Sequence, residues 1–387
     1  MKKILSILLF TLLFSLVAFC FVACGENETV ETFNYSLNKD GTYCLTSYNG
    51  SDGSVAIKAT YNGKPVTKIG NNAFENRDKL GSIKIPDSVT SIGNYAFRGC
   101  IKLNSITFGQ GVKEINIGAF YKCNSLISIE IPDSVETVGD FAFYACAKLD
   151  DVKIGDSVKT IGSYAFESCV SLNTLEIGNN VETIGYRAFY NCNDLSFVTL
   201  GEKVGKIDNR AFENCVKLAS LAFPDSVKSI GEYAFAGCES LVNVFMSEKI
   251  ERVGAYAFNG CNKLYDETKK NSYNIYNKGV YLGSENNKHL VLIKVEVPDE
   301  KTWEFEIHED TQVIADAAFY NCATLNSVTL KKNLKHVGKN AFFGCTKLTV
   351  IDFNGTVEEW NGIDKADEWN KNSNISKIKC GDNDIIL

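Results

Sequence analysis

The chain has 387 residues, 45% of them hydrophobic and 22% charged, and a formal net charge of −7. That is an ordinary soluble composition, long enough for a large core. The acidic balance, with no basic run or aromatic-basic patch, argues against a nucleic-acid partner.

Residues 1–23 read as an export signal. Lys2 and Lys3 precede an apolar run from Ile4 to Phe21, which ends in Val22-Ala23-Cys24. A basic start, an apolar middle and a small residue before the cut site make a secretory signal. The run is also nearly long enough, at about 18 residues, for an uncleaved span. The Cys directly after Ala23, followed by Gly25-Glu-Asn-Glu28, looks like a bacterial lipoprotein signal with Cys24 as the lipidated residue. Cys20 is the poorer candidate because bulky Phe19 precedes it. Cleavage takes away two lysines, so the mature charge is −7 less 2, or −9. Residues 24–32 form a polar tether, and the eight after Cys24 reach at most about 28 Å. The fold that follows is expected to sit close to its membrane.

Residues 33–66 read as a β-rich N-terminal cap. Thr42–Tyr48 and Val55–Tyr61 alternate in polarity around Asn49-Gly-Ser-Asp-Gly53, which predicts a hairpin between them.

From 66 to 350 the chain repeats. Ala-Phe stands at 73, 96, 119, 142, 165, 188, 211, 234 and 257, each step 23 residues, and again at 318 and 341. A fixed period of this length marks a solenoid. Seven residues after Ala comes Leu in every copy, from Leu80 to Leu348. An alternating run follows, as in Ile129-Glu-Ile131, and then an apolar pair such as Val158-x-x-Ile161. Each unit thus predicts a short strand, a second extended run and a turn carrying Ala-Phe. No unit can bury these residues alone, and stacked units share one core. Three residues before Ala stands Gly, except at Asn116, Asp208 and Ala315. Gly, Asn and Asp tolerate positive φ, which predicts a left-handed turn there. Cys stands three after Phe in ten copies, from Cys100 to Cys345, with Arg77 in the first. Stacked strands lie about 4.8 Å apart, wider than disulfide Cβ spacing, and a single file does not converge on a tetrahedral metal. The ladder is expected to be buried, reduced and structural.

With Ile131-Pro-Asp-Ser-Val-x-x-x-Gly-x-x-Ala-Phe-x-x-Cys-x-x-Leu149 and its near copies, the chain resembles the BspA-type leucine-rich repeats of bacterial surface proteins, from about residue 41 to 387. The resemblance implies a curved repeat solenoid with one parallel β-sheet face, short second strands and turns. It also implies export from a bacterium and action by binding, since family members are associated with adhesion to host matrix proteins or to other cells.

The period breaks at 267–304. Gly279–Leu282 and His289–Ile293 flank Gly283–Lys288, predicting a hairpin that projects from the solenoid edge. Residues 351–387 read as a C-terminal cap, with Trp360 and Trp369 covering the last coil.

Catalytic chemistry is not evident. His289, His308 and His336 have no metal-ligand spacing and read as surface residues, so no metal or cofactor is expected. The recurring Asp-Ser, as at Asp133-Ser134, is expected to hydrogen-bond its own backbone in a tight turn. There is no Gly-x-Ser-x-Gly elbow and no phosphate-cradling loop. The reading is therefore a non-enzymatic lipoprotein on the outer face of a bacterial membrane, binding an extracellular protein or glycan. The alternative is a structural envelope protein contacting the wall near the membrane.

One stretch of the strand face stands out. The outward pairs run Ser82/Lys84, Ser105/Thr107, Ser128/Glu130, Asp151/Lys153 and Thr174/Glu176, then Phe197/Thr199, Ser220/Ala222 and Asn243/Phe245. Phe197, Thr199, Ala222, Asn243 and Phe245 are the candidate contact residues, unless the 267–304 insertion folds back over them.

Overall fold

The computed structural model describes residues 33–264 and 273–387. The lipidation candidate Cys24, and the signal and tether around it, lie outside the described residues. No helix among the described residues is long and apolar enough to cross a membrane.

The repeat folds as its period demands. Each regular unit contributes two strands, and each pairs in parallel with its equivalent 23 residues on. Ser128–Ile131 registers with Asp151–Ile154, then with Thr174–Glu176 and Phe197–Thr199. Thr137–Val138 registers with Thr160–Ile161 and then with Thr183–Ile184. The two-residue strands form the longer uninterrupted ladder, a sheet running from Phe33–Leu37 to Arg252–Val253. The longer strands fall into separate sheets, with breaks after Ser105–Thr107 and after Phe197–Thr199. At both breaks the inward residue, Ile106 or Val198, is half-buried where its equivalents Val152 and Leu175 are fully buried.

Inside, like residues sit on like. The Phe rings stack from Phe74–Phe97 (4.7 Å between centroids) to Phe235–Phe258 (5.4 Å) with no break. The inter-strand spacing of about 4.8 Å falls within the range of offset aromatic stacking, so the backbone repeat itself sets the ring geometry. Nine of the ten ladder thiols, all but Cys322, donate to the Phe carbonyl of the preceding coil: Cys100 to Phe74 (3.0 Å), Cys146 to Phe120 (3.3 Å), and so on to Cys345 and Phe319 (3.2 Å). Burial pushes the Cys146 thiol up to about 12. The cysteines therefore act as small buried donors, a use that Ala cannot supply.

The recurring glycine has a different cause from the one expected. Gly93, Gly139, Gly162 and Gly254 do not have positive φ. A Cβ on Gly162 would instead come within 2.5 Å of the Gly139 carbonyl carbon and 2.6 Å of the Asp140 nitrogen. The position is Gly because adjacent coils touch backbone to backbone. Asn116 puts its side chain to use there, donating to the Ile92 carbonyl at 2.8 Å. Two residues per coil are left-handed, one just before Cys, such as Ser168 (φ 61°) and Asn191 (58°), and one just before Ala, which is often large: Tyr95 (φ 55°), Phe141 (57°), Tyr164 (59°) and Arg187 (53°). Such residues resist this conformation. Each is held by a hydrogen bond to the next coil, as Tyr164 N–H to Tyr186 O (2.8 Å), and Phe141 and Tyr164 stack outside at 4.6 Å.

The Asp-Ser turns also work between coils and not within one. Asp133 Oδ1 accepts from Asp156 N–H at 2.9 Å, and Asp156 Oδ1 from Asn179 N–H at 2.7 Å. Ser226 Oγ donates to Val204 O at 2.9 Å. These side chains satisfy backbone groups that a two-residue strand leaves unpaired.

At the N-terminal end the expected hairpin of 42–48 with 55–61 does not form. Tyr43–Tyr48 pairs antiparallel with Phe33–Leu37 and parallel with Lys64–Ile69, while Ser54–Ala56 joins the other ladder beside Ser82–Lys84. The segment is already a coil, because Leu45, Tyr48 and Val55 are buried only by following the solenoid path. Tyr48 stacks on Phe74 at 5.2 Å and ends the Phe column.

The insertion does contain antiparallel pairing, Gly279–Leu282 with Val291–Val295, but it does not project. Val280, Tyr281, Leu282, Val291 and Leu292 are all fully buried. Val291–Leu292 also pairs in parallel with Val313–Ile314, so the strand takes a place in the stack. Its apolar run leaves no solvent-compatible face, and docking is the only way to bury it. At the far end, a helix at Val357–Gly362, closed by a Thr356/Glu359 capping box, buries Trp360. Trp369 meets Trp360 and Phe342, each at 5.9 Å, and the two indoles close the last coil.

Candidate binding face and a histidine cluster

Side chains on the longer strands alternate, so one set lines the core and the other faces out. The outward set forms two columns. One runs Ser128, Asp151, Thr174, Phe197 and the other Glu130, Lys153, Glu176, Thr199. After the break, Ser220 registers with Asn243 and Ala222 with Phe245. Early in the face the columns are hydrophilic and paired: Lys153 Nζ meets Glu130 Oε1 at 2.8 Å, and Thr174 Oγ1 donates to the Asp151 carboxylate.

Phe197 is 57% exposed and Phe245 42% exposed, in contrast to the fully buried ladder phenylalanines from Phe74 to Phe258. Thr199 and Ala222 are exposed, and Asn243 is half-buried. The structure thus places the five candidate residues on one surface, across the sheet break. It does not make the two rings adjacent. They lie in different columns two coils apart, about 12 Å on the diagonal from strand spacing and rise. Ala222 is the direct neighbour of Phe245. The described part of the insertion reaches the end of this strand without covering the rings: Met246 N–H donates to Gly283 O (3.0 Å), and Ser284 Oγ to Glu248 (3.0 Å).

A second constellation was not visible from local spacing. His289 and His308 are 19 residues apart in sequence, yet their rings stack at 3.8 Å and 16°. Asp310 Oδ2 lies 3.5 Å from His308 Nδ1. One donor atom from each of the three falls within 4.8 Å of the others. Burial and the neighbouring His308 hold the His289 imidazole below the usual histidine range. The reading of all three histidines as surface residues therefore needs correction. His289 and His308 are brought together by coil closure, which no short-range spacing encodes. His336 is buried, with Nδ1 2.7 Å from Asp364 Oδ2. The surviving sequence signal was that two of only three histidines fall in or beside the one interruption of the period.

Comparison with known proteins agrees with this architecture. The family model for the BspA type leucine rich repeat region matches in six copies, over residues 67–196, 159–288 and 299–383. A leucine-rich repeat protein from Bacteroides ovatus aligns over 92% of this chain and 100% of its own, with 23% identity and a TM-score of 0.51. A leucine rich cell surface protein from Faecalibacterium prausnitzii aligns over 88% and 98%, with 25% identity and a TM-score of 0.41. No curated protein matches the chain. The family matches together cover 67–288 and 299–383, most of the solenoid, and the chain belongs to the BspA-type leucine-rich-repeat proteins.

Proposed function

We propose that the chain is a lipid-anchored protein on the outer face of a bacterial membrane, and that it binds an extracellular protein or glycan through the strand face around Phe197, Ala222 and Phe245. The observation carrying this reading is the exposure of two large aromatic rings, beside Ala222 and Asn243, on a face whose earlier coils present only Ser, Thr, Lys and acidic residues. Exposed aromatics within a polar rim supply desolvation energy at low entropic cost, which is the usual composition of a contact centre. The family and fold are those of leucine-rich-repeat proteins, which are generally non-enzymatic. Attachment through Cys24 rests on the Val22-Ala23-Cys24 ending of the apolar leader.

Two measurements test the reading. Panels of matrix proteins and wall glycans are screened with the purified chain, and the Phe197→Ser, Phe245→Ser double variant is compared on any ligand found. Binding that falls at least about tenfold, as loss of a contact centre requires, with melting unchanged, supports the site; unchanged binding removes it. Separately, Cys24→Ala abolishes metabolic lipid labelling if Cys24 is the anchor. Protease shaving of intact cells distinguishes an exposed binder, which is cut, from an envelope component beneath the wall, which survives.

A further inference from the structure

The meeting of His289, His308 and Asp310 is supported from below by a firm frame. The His308 N–H donates to the hydroxyl of fully buried Tyr281 at 3.3 Å. The His289 N–H donates to Asn287 Oδ1 at 3.0 Å, and Asn287 Nδ2 donates to the Asp310 carbonyl at 2.7 Å. The loop after Gly279–Leu282 and the turn after Trp303–Glu306 are thereby tied together directly under the two imidazoles. Tyr276 sets its ring edge-on to His308 at 4.9 Å. Both histidines are only half-buried and Asp310 is exposed, so the cluster opens to solvent on one side.

We propose that His289, His308 and Asp310 bind one divalent transition-metal ion of the zinc class, with water completing its coordination. Two imidazoles and a carboxylate suit zinc and its neighbours, and do not suit calcium or magnesium, which take oxygen ligands. Tetrahedral ligands at about 2.05 Å from zinc stand about 3.3 Å from one another. The His308 Nδ1 to Asp310 Oδ2 separation of 3.5 Å already meets that requirement. His308 Nδ1 accepts the Asp310 N–H at 3.2 Å, so it is the unprotonated nitrogen and its lone pair becomes available to an ion for the loss of that one hydrogen bond. The stacked rings direct their lone pairs side by side, so His289 must turn about its side-chain torsions to bring a nitrogen onto the same ion. Half-burial leaves it room to do so. An ion held there would clamp the interruption to the coil that follows it.

The test uses the purified chain without a polyhistidine tag and with the partly exposed Cys44 and Cys380 changed to Ser, so that no accessible thiol of the described residues competes. Calorimetric titration with zinc alone is expected to show one equivalent bound, and a melting temperature that rises with zinc. His289→Ala and His308→Ala should each weaken binding by about 100-fold or more, and Asp310→Asn by about tenfold. His336→Ala should leave it unchanged. Cobalt gives a second readout, since its visible absorption reports nitrogen and oxygen ligation directly. Absence of stoichiometric binding by the unmutated cluster overturns the proposal, whatever the variants do. So does zinc binding that survives His289→Ala with His308→Ala.

Discussion

The regular stack, from Ala73 to Leu264, and the interruption with the turn that follows it, described from 273 to 316, bury their residues by different means. In the stack most inner positions meet their equivalent in the next coil, Phe on Phe and Cys beside Cys, and polar groups find partners about one period away. In the interruption the partners occur once. Arg252 reaches across to Asp316 at 2.7 Å, Tyr281 is fully buried with its hydroxyl on the His308 N–H, and two imidazoles stack. The difference teaches that repetition solves the burial problem once for all coils, whereas a break in the repeat must solve it anew with individual polar contacts. One-off contacts of that kind are also what a ligand site is made of.

The largest expected effect attacks what the stack shares. Burial raises the ladder thiols, with Cys100, Cys146 and Cys261 each at about 12 against an ordinary 9.0. A raised folded value means that the native state keeps its protons while the unfolded chain loses them. The contribution is complete below pH 9 and disappears as pH rises through about 12. Linkage sets the loss at roughly 1.4 kcal/mol per thiol for each pH unit above 9. With eight such thiols in the regular stack, melting temperature should fall steeply between pH 9 and 11. Cys146→Ala should lower stability at pH 7 and make the alkaline slope shallower by one thiol. A slope unchanged by that substitution would mean the thiols are not the titrating groups. Native thiols should also resist alkylation at pH 8 until the protein is denatured, with no reductant needed.

Next comes a single ring. Phe166 stacks on Phe143 at 5.0 Å and on Phe189 at 5.2 Å, so Phe166→Ala removes contacts on both sides. Urea unfolding should show about 3–5 kcal/mol lost. Because each coil contacts only its neighbours, the defect should also broaden the transition toward two steps. Where the stack meets the interruption, Arg252→Ala leaves the Asp316 carboxylate, whose side chain is 2% exposed, without its charged partner. Arg252 itself is 47% exposed, and the retained Lys339 N–H still reaches Asp316 Oδ1 at 2.8 Å. The loss should therefore stay near about 1.5–3 kcal/mol, with the 273–316 region gaining hydrogen exchange before the rest.

Gly162→Ala tests the backbone contact between coils. The new methyl meets main-chain atoms that cannot rotate away, so destabilisation of about 1–3 kcal/mol is expected. Were the expected left-handed turn the true reason for this glycine, Gly162→Asn would be tolerated; close packing predicts that it is as harmful as Ala. The smallest effect belongs to the exposed rings. Phe197→Ser with Phe245→Ser should change stability by no more than about 0.5 kcal/mol in thermal melts, and a larger loss would show the rings packing internally.

Much of the fold was legible because a solenoid translates sequence period directly into space. The Leu, Ala-Phe and Cys positions could be placed as core from spacing alone, and all of them from Leu80 to Leu264 are fully buried. The outward columns were legible for the same reason, since alternation follows from strand geometry once the inward position is known. What could not be read was which of two physical causes lay behind a recurring residue. Glycine serves both positive φ and close approach, and Asp-Ser serves both a local turn and a bridge to the next coil. The sequence pattern is the same in each case.

The sequence by itself determined the period, the identity of the inner ladders and the two faces of each strand, because these depend only on neighbours a constant 23 residues away. The tertiary structure alone decided the rest. It folded 33–66 into a coil where a hairpin was expected, drew the insertion into the stack, left Phe197 and Phe245 uncovered by the described insertion residues, and brought His289 onto His308. Each of these depends on one contact between segments with no fixed spacing, and such contacts are chosen by how well two particular surfaces exclude water, a quantity that exists only once the chain has closed on itself.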